Sequence, residues 1–301
     1  MSDDLLTATL LASRAPVLLC PAMHTEMWEQ PSVQENLTVL RRRGVMILEP
    51  DEGPLAGGDS GRGRLPDPER IADLVLSLVH QDRKGPLSGL RVLVSAGGTR
   101  EPIDPVRVIT NRSSGHQGHA IAEVAARLGA TVNLVTASDR PLALDVQPHV
   151  RVTPVDTAAQ MGEAIDDLFP SADLVIMAAA VADFTVKAHH EKWKKEDGLP
   201  VIELVPTRDI LASLVSTKAP NQTIVGFAAE TTKVEEHARA KLARKGCDFL
   251  VVNDVSAEGV GFSHATNEVA ILGSDGSEVR ISLTTKEEIA LRLLSKVTGR
   301  F

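Results

Sequence analysis

The chain has 301 residues, 43% of them hydrophobic and 24% charged, which is typical of a globular protein with one large domain or two. Its net charge of −8 at pH 7 disfavours a general nucleic-acid surface, so an anionic ligand would need a locally positive site. The sequence has no apolar run near the roughly 20 residues of a membrane span, no signal-peptide pattern and only two cysteines, so we expect a cytoplasmic protein that binds neither membranes nor nucleic acids.

The first part of the chain alternates helices with short strands. The predicted elements are helices at 3–12, 32–42 and 68–79 and strands at 15–19 and 45–48. A glycine-rich loop at 53–64 separates the second strand from the last helix. The polar segment 80–89, with its Gly and Pro residues, predicts a linker, which divides the chain into domains at 1–84 and 85–301.

The second part opens with a stretch that is suited to phosphate binding. An apolar run at 90–94 predicts a buried strand, and Gly97 and Gly98 follow it at once. After a long polar loop, a turn ending at Gly115 opens a helix predicted at 117–128. Glycines let backbone N–H groups face a ligand, and helix starts expose unpaired N–H groups with a partial positive charge. From the glycines alone, a phosphate site and a merely tight connection are equally supported.

Strands and helices continue to alternate up to about residue 253. The predicted elements are strands at 131–136, 150–155, 173–178, 223–227 and 249–253 and helices at 157–168, 210–216 and 232–244. We expect Asp156 to cap the first of these helices. A β-hairpin of 268–272 with 279–281 and a capping box at 285–288 precede the last helix. The pattern predicts an α/β fold with a doubly wound, mainly parallel αβα sandwich and a C-terminal β-hairpin.

Two polar side chains beside these strands are candidates for chemistry. Asn111 is either an ordinary turn residue or a carboxamide that holds a reacting acyl oxygen, as oxyanion donors do. Asp183 follows an apolar strand at the carboxyl edge of the sheet, where open α/β folds bind ligands. We therefore expect Asp183 to be functional.

The lysines and His24 also have plain alternatives. The lysines of the charged loop at 189–198 would by composition be solvated. Lys241 and Lys245 lie four residues apart and share a helix face, which by itself indicates a solvent-facing pair. His24 has no second His or Cys at metal-ligand spacing, so a hydrogen-bonded loop histidine is the simpler interpretation.

Taken together, the motifs resemble the bacterial bifunctional phosphopantothenoylcysteine decarboxylase/phosphopantothenate–cysteine ligase family of coenzyme A biosynthesis. The resemblance runs from about residue 90 to the end, through SAGGTREPIDPVRVITNRSSG, AAAVADF, EKWKK, RDIL, GFAAET, the lysine pair and VVNDVS. Several spaced motifs in one order are far more specific than any one of them. The resemblance implies a Rossmann-like ligase that joins phosphopantothenate to L-cysteine with CTP and Mg²⁺, and that works as a homodimer through this domain.

The resemblance also implies roles for single residues. Asn111 matches the asparagine that stabilises an acyl-cytidylate intermediate, Arg107 the arginine four positions before it, and Lys192 the first lysine of a K-x-K-K loop. Asp183 is implied to recognise the base, and Arg208 stands where the family has proline. The other implied nucleotide contacts are Gly97, Gly98, Ser114, Gly115, Gly118, Met177, Ala178, Ala179, Asp209, Ile210, Leu211, Phe227, Lys241 and Lys245.

Residues 1 to about 84 resemble only the second half of the family's flavodoxin-like, FMN-dependent decarboxylase domain. PAMH followed by MW matches the P-A-M-N-x-x-M-W motif with His24 in the Asn position, and the end of the glycine-rich loop matches a substrate clamp in which Gly57 replaces a frequent cysteine. A flavin-phosphate loop and an early catalytic histidine do not precede Met1. We therefore expect this chain not to decarboxylate by itself, and a longer natural product to perform both steps.

Three other functions compete with the ligase. A flavoprotein decarboxylase would carry FMN, and a non-catalytic nucleotide-binding module would bind CTP without releasing CMP. A Rossmann oxidoreductase is the weakest alternative, because the G-x-G-x-x-G fingerprint is absent from the sequence.

Overall fold

The computed structural model describes residues 4–58, 60–79, 85–193, 201–230, 234–254 and 266–301. The chain forms two compact units, one of residues 1–82 and 143–148 and the other of residues 83–142 and 149–301. No helix within the described ranges is long and apolar enough to cross a membrane.

The N-terminal unit is small and built around one parallel strand pair. Its elements are α1 (Leu5–Ala12), β1 (Leu18–Leu19), α2 (Thr25–Trp28), α3 (Pro31–Arg42), β2 (Met46–Ile47), β3 (Asp51–Pro54), β4 (Ser60–Arg64) and α4 (Pro68–Val79). Strands β1 and β2 pair in parallel, and Trp28, Leu37 and Ile47 form a buried cluster. The predicted helices and strands are confirmed, although each strand has only two paired residues.

The glycine-rich loop at 53–64 was predicted to lack regular structure, and that prediction is wrong. Its ends form the antiparallel hairpin of β3 and β4. Gly63 packs closely against Met23. A Cβ on Gly63 would come within 1.9 Å of the Met23 carbonyl oxygen. The Met23 N–H donates to the Gly63 carbonyl at 2.9 Å. Glycine therefore serves a close backbone approach at this position rather than free loop motion.

The second unit is organised by an eight-stranded sheet. The strands of this unit, including four that lie outside the large sheet, are β5 (Arg91–Ala96), β6 (Arg100–Pro102), β7 (Val108–Thr110), β8 (Thr131–Thr136), β9 (Val150–Pro154), β10 (Leu174–Met177), β11 (Phe184–Val186), β12 (Leu204–Pro206), β13 (Thr223–Glu230), β14 (Phe249–Asp254), β15 (Thr266–Gly273) and β16 (Glu278–Thr285). Its helices are α5 (His116–Arg127), α6 (Ala158–Leu168), α7 (Ile210–Thr217), α8 (Val234–Lys245) and α9 (Lys286–Thr298).

The order of the large sheet is β16-β15-β14-β13-β10-β5-β8-β9. The pairs from β9 to β14 are parallel, and the pairs β14–β15 and β15–β16 are antiparallel. The central strands are buried on both faces, because β10 reads Leu-Val-Ile-Met and every residue of it is buried. The predicted αβα class and the C-terminal hairpin are confirmed.

Two short antiparallel ribbons stand outside the sheet and were not predicted. Strand β6 pairs with β7 inside the stretch that we expected to be a long polar loop, and β11 pairs with β12. Neither has the alternating apolar pattern of a half-buried strand, and β12 is exposed along its whole length. Periodicity alone therefore could not indicate them.

Two local predictions need correction. The N-cap of α6 is Thr157 rather than Asp156, because Thr157 and Gln160 form a reciprocal capping box. The C-terminal end of the predicted linker belongs to the second unit, because Leu87 is fully buried and its N–H donates to the Leu128 carbonyl at 2.9 Å. Residues 80–84 lie outside the described ranges. Thr285 does cap α9 as predicted, accepting from the Glu288 N–H.

Candidate active site

The two glycine turns pack against each other at the carboxyl edge of the sheet. Gly97 directly follows β5 and has φ of 84°, and Gly115 is the N-cap of α5 with φ of 72°. A Cβ on Gly97 would lie 2.8 Å from the Ser138 nitrogen, and a Cβ on Gly115 would lie 2.7 Å from the Ser138 Cβ. Both positions require glycine for backbone conformation and for space. The tight connection is therefore observed, and phosphate binding by these turns stays a prediction.

The loop after β10, at 178–183, is fixed to the first turn by two buried hydroxyls. Ser95 Oγ accepts from the Ala179 N–H at 3.1 Å, and Thr99 Oγ1 accepts from the Ala182 N–H at 2.9 Å. Both hydroxyl residues are buried. The sequence offered a weak signal for them, since they flank the glycine pair in SAGGT, but we assigned them no role.

Asn111 links the second turn to the same loop. Its Nδ2 donates to the Val181 carbonyl at 3.1 Å, and its backbone oxygen would lie 2.7 Å from a Cβ on Gly98. Asn111 as a residue is exposed. Asn111 is thus oriented by the protein on an exposed part of the loop.

A cavity lies where α5 begins and the central strands end. It is lined by Ser113, Ser114, Gly115, His116, Gln117, Gly118, Ala178, Ala179, Ala180, Phe227, Ala228, Asn253, Asn267 and Lys286. Six residues that the resemblance implies for nucleotide binding share this cavity, namely Ser114, Gly115, Gly118, Ala178, Ala179 and Phe227. Met177 is buried in the core beneath it.

Four polar residues of the cavity were missed by sequence reasoning. Lys286 and Asn267 are only 3% and 5% exposed. The side-chain oxygens of Gln117 and Asn253 are buried and have no hydrogen-bond partner among the residues that the structure describes. Buried polar atoms normally have partners, so these groups indicate a place for water or a ligand. Only Asn253 had a sequence signal, as part of VVNDVS.

Two cationic side chains lie at or near this cavity: Lys286 lines it, and Arg140 is close to His116. Burial, with Arg140 and Lys286 nearby, lowers the pKa of His116. His116 faces Glu287 at 3.4 Å between Nε2 and Oε1. The N-terminus of α5 adds its unpaired N–H groups and its partial positive charge. The arrangement therefore suits an anion.

Arg107 and the loop that carries Lys192 are joined by Asp104. Burial alone would raise the pKa of Asp104, but N–H donors of Val106, Arg107 and Trp193 and the Arg107 guanidinium lower it to about 2. The N–H distances to the carboxylate are 2.8, 2.8 and 3.3 Å. Lys192, exposed beside Trp193, is thereby tethered near Arg107. Lys194 and Lys195 lie outside the described residues.

The RDIL segment begins α7 and pairs with two other helices. Arg208 makes a two-point ion pair with Asp166 on α6. Asp209 caps α7 through the Ala212 N–H at 3.1 Å and forms an ion pair with Lys245. Arg208 therefore forms an ion pair that a proline at the same position could not form.

The other implied nucleotide residues lie apart from the cavity lining. Ile210 is buried and Leu211 half-buried on α7, and Lys241 lies on α8 one turn before Lys245. Asp183 is exposed, and its backbone oxygen accepts from the Thr207 N–H at 3.0 Å. Contacts of these residues with a ligand stay predictions.

The described residues contain no group of three or more His, Cys, Asp or Glu side chains placed to hold a metal ion. Mg²⁺ is commonly bound through one or two carboxylates together with substrate phosphates, a mode that needs no such group. In the N-terminal unit, the buried Thr25 hydroxyl has no hydrogen-bond partner among the described residues and lies against Gly61.

Comparisons with known proteins identify the family. Residues 87–300 match the model of the DNA/pantothenate metabolism flavoprotein C-terminal domain, and residues 1–80 match the Flavoprotein model. The coenzyme A biosynthesis bifunctional protein CoaBC of Mycobacterium bovis is 48% identical over 310 positions, which cover 98% of this chain and 73% of that protein. The chain belongs to the bacterial CoaBC family.

Other CoaBC comparisons agree in extent. The CoaBC protein of Bacillus subtilis is 44% identical over 302 positions, covering 99% of this chain and 73% of the relative. The crystal structure of a CoaBC C-terminal domain superposes with a TM-score of 0.60 at 41% identity, covering 71% of this chain and 96% of that domain. The site described above lies in the part of the chain that matches the C-terminal family model.

Proposed function

We propose that the second unit is a phosphopantothenate–cysteine ligase of coenzyme A biosynthesis that uses CTP. Membership of the CoaBC family supports the ligation itself. The observation that supports the site is the cavity at the start of α5, which six implied nucleotide residues line together with the buried Lys286 and Asn267. CTP and its placement in this cavity are part of the proposal.

The chemistry needs activation because a carboxylate is a poor acyl donor. The carboxylate of phosphopantothenate attacks the α-phosphorus of CTP, and the bond to the bridging oxygen breaks to release pyrophosphate. The cysteine amine then attacks the acyl carbon of the mixed anhydride, loses a proton, and displaces CMP. Both steps develop negative charge on oxygen, which fixed N–H donors stabilise without reorganisation.

The chain's residues would divide this work. The N–H groups at the start of α5 would bind phosphate, and the Asn111 carboxamide would hold the acyl oxygen. Asp183 and Phe227 would contact the nucleoside, with Lys241 and Lys245 from α8. Lys192, on the loop tethered by Asp104, would cover the site and exclude water that would hydrolyse the anhydride. Mg²⁺, when bound, would offset phosphate charge.

We also propose the two domains at 1–84 and 85–301 and a homodimer of the ligase part. The support for the dimer is the apolar exposure of the two ribbons, where Val108, Phe184, Leu204 and Val205 are each close to half exposed. Light scattering of the purified chain would test it, with a monomer contradicting it.

The decisive experiment supplies the protein with phosphopantothenate, L-cysteine, Mg²⁺ and CTP. We expect phosphopantothenoylcysteine, CMP and pyrophosphate in equal amounts, and no ligation when cysteine is omitted. Replacing CTP with ATP tests the base preference through AMP. Absence of ligated product with every nucleotide would refute the proposal.

Asn111→Asp is the sharpest variant for the site. A carboxylate at that position repels the developing oxyanion, so we expect amide formation to fall by about 100-fold or more, as when an oxyanion donor is removed. Asn221→Asp, on an exposed residue, is the matched control. Equal rates for the two variants would contradict the assigned role.

A second candidate, a bifunctional enzyme that also decarboxylates the product with FMN, is favoured by the Flavoprotein match at residues 1–80. Purified protein with a flavin absorption band and release of CO₂ from phosphopantothenoylcysteine would establish it. Colourless protein that ligates but releases no CO₂ would support ligase activity and contradict decarboxylation by this chain.

A further inference from the structure

Lys286 occupies a position that is unfavourable for a cation unless an anion joins it. It is the first residue of α9, at the positive end of that helix, and only 3% of its surface is exposed. It lines the cavity opposite the N-terminus of α5, which is also a positive helix end. Buried lysines are rare without a paired charge.

Within the described ranges, no ion pair or hydrogen bond of the Lys286 ammonium is found. The neighbouring acid, Glu287, faces His116. Burial and the nearby Arg140 lower the pKa of Lys286, with only Glu287 acting in the other direction. This is the behaviour expected of a cation that lacks its counter-ion.

The position of Lys286 is fixed independently of that counter-ion. Gln117 on α5 donates from Nε2 to the Lys286 backbone oxygen at 3.1 Å, and Thr285 caps the helix that Lys286 begins. The two helix starts are therefore tied together with the cavity between them. A multiply charged anion there would meet N–H groups of α5 and the ammonium from α9 at once.

We propose that Lys286 binds the β- and γ-phosphates of the nucleoside triphosphate and holds them as the pyrophosphate leaving group. This inference rests on the proposed function, and it deepens that function by naming the group that takes up the leaving charge. The oxygen that bridges the α- and β-phosphorus atoms gains negative charge as its bond to the α-phosphorus breaks. A fixed ammonium next to those phosphates stabilises that charge, and in this proposal the α-phosphate and nucleoside lie beyond its reach.

The test compares ligands that differ only in these phosphates. Calorimetry measures the binding of CTP, CMP and inorganic pyrophosphate to wild type, Lys286→Met, Lys286→Arg and the control Lys296→Met on the same helix. We expect Lys286→Met to weaken CTP and pyrophosphate at least ten-fold and CMP less than two-fold. Lys286→Arg should restore most CTP affinity, and the control should match wild type.

Two outcomes would overturn the proposal. Equal weakening of CTP and CMP would mean that Lys286 only shapes the site, and unchanged CTP affinity would mean that the phosphates lie elsewhere. If Lys286→Met does not unfold cooperatively, Lys286→Gln takes its place under the same criteria.

The binding test needs neither phosphopantothenate nor cysteine, so its failure is distinct from failure of the ligase proposal. Lys286-dependent CTP binding without ligation would refute the ligase and keep this inference. Ligation together with CTP binding that does not depend on Lys286 would support the ligase and refute this inference.

Discussion

The hydroxyl of Thr99 gives the most direct test of how the site is assembled. Thr99→Val keeps the branched shape but removes the acceptor of the Ala182 N–H, which it binds at 2.9 Å. Thr99 is fully buried, so water cannot replace the hydroxyl. A buried donor left without a partner costs about 1–3 kcal/mol. For a unit of roughly 200 residues, each kcal/mol lowers the melting temperature by about 2–4 °C, so we expect a fall of about 2–12 °C.

The assay is thermal unfolding followed by circular dichroism, with ligase kinetics beside it. Thr131→Val, at the exposed start of β8, is the matched control and should change stability by less than about 0.5 kcal/mol. Because Ala182 belongs to the loop that Asn111 also contacts, the KM for CTP should rise in Thr99→Val only. A Thr99→Val protein as stable as the control would refute the reasoning that this hydroxyl holds the loop.

Three further predictions concern the turns and the loop. Gly115→Ala places a side chain at φ of 72° and 2.7 Å from the Ser138 Cβ, so we expect a loss of about 1–3 kcal/mol or more in urea unfolding and weaker CTP binding; an unchanged midpoint would contradict it. The pKa of Asp104 is lowered from 3.8 to about 2, so the stability that its carboxylate contributes is complete above about pH 4 and is lost as the pH falls towards 2. The difference in unfolding free energy between wild type and Asp104→Asn should therefore shrink over that window. A constant difference would be evidence against the tether. Lys192→Gln should lower kcat at least ten-fold and increase CTP hydrolysis without ligation, whereas Lys187→Gln, also exposed, should behave as wild type; equal rates would make Lys192 ordinary surface.

Much of the sheet could be predicted because its strands carry their own signal. The run at 131–136 has a buried, β-branched pattern, and β8 has those bounds. The fold class followed from alternation of such runs with amphipathic helices. The glycine turns could also be located, because Gly97 and Gly115 end a strand and begin a helix. Their packing on Ser138 could not, since it joins segments more than 20 residues apart.

The features that were missed depend on tertiary contacts. Strand β11 pairs with β12 across a long excursion of chain, and neither has a period of two strong enough to indicate it. Lys286 follows a capping threonine, a local context that indicates a solvent-facing helix start, and only the packing of α9 on α5 buries it. Asp104 precedes a proline, as turn residues often do, but its third N–H donor comes from Trp193, 89 residues further along the chain.

The attachment of Leu87 to the loop after α5 has a practical consequence for fragment design. Leu87 is fully buried and donates its N–H to the Leu128 carbonyl, and Gly85 approaches that carbonyl so closely that a Cβ would come within 2.1 Å of it. An expression fragment that starts at β5 would leave a leucine-sized hole and an unpaired carbonyl, at a cost of about 2–5 kcal/mol for the hole alone. Recombinant versions of this half intended for crystallisation or inhibitor screening should therefore start upstream of Gly85.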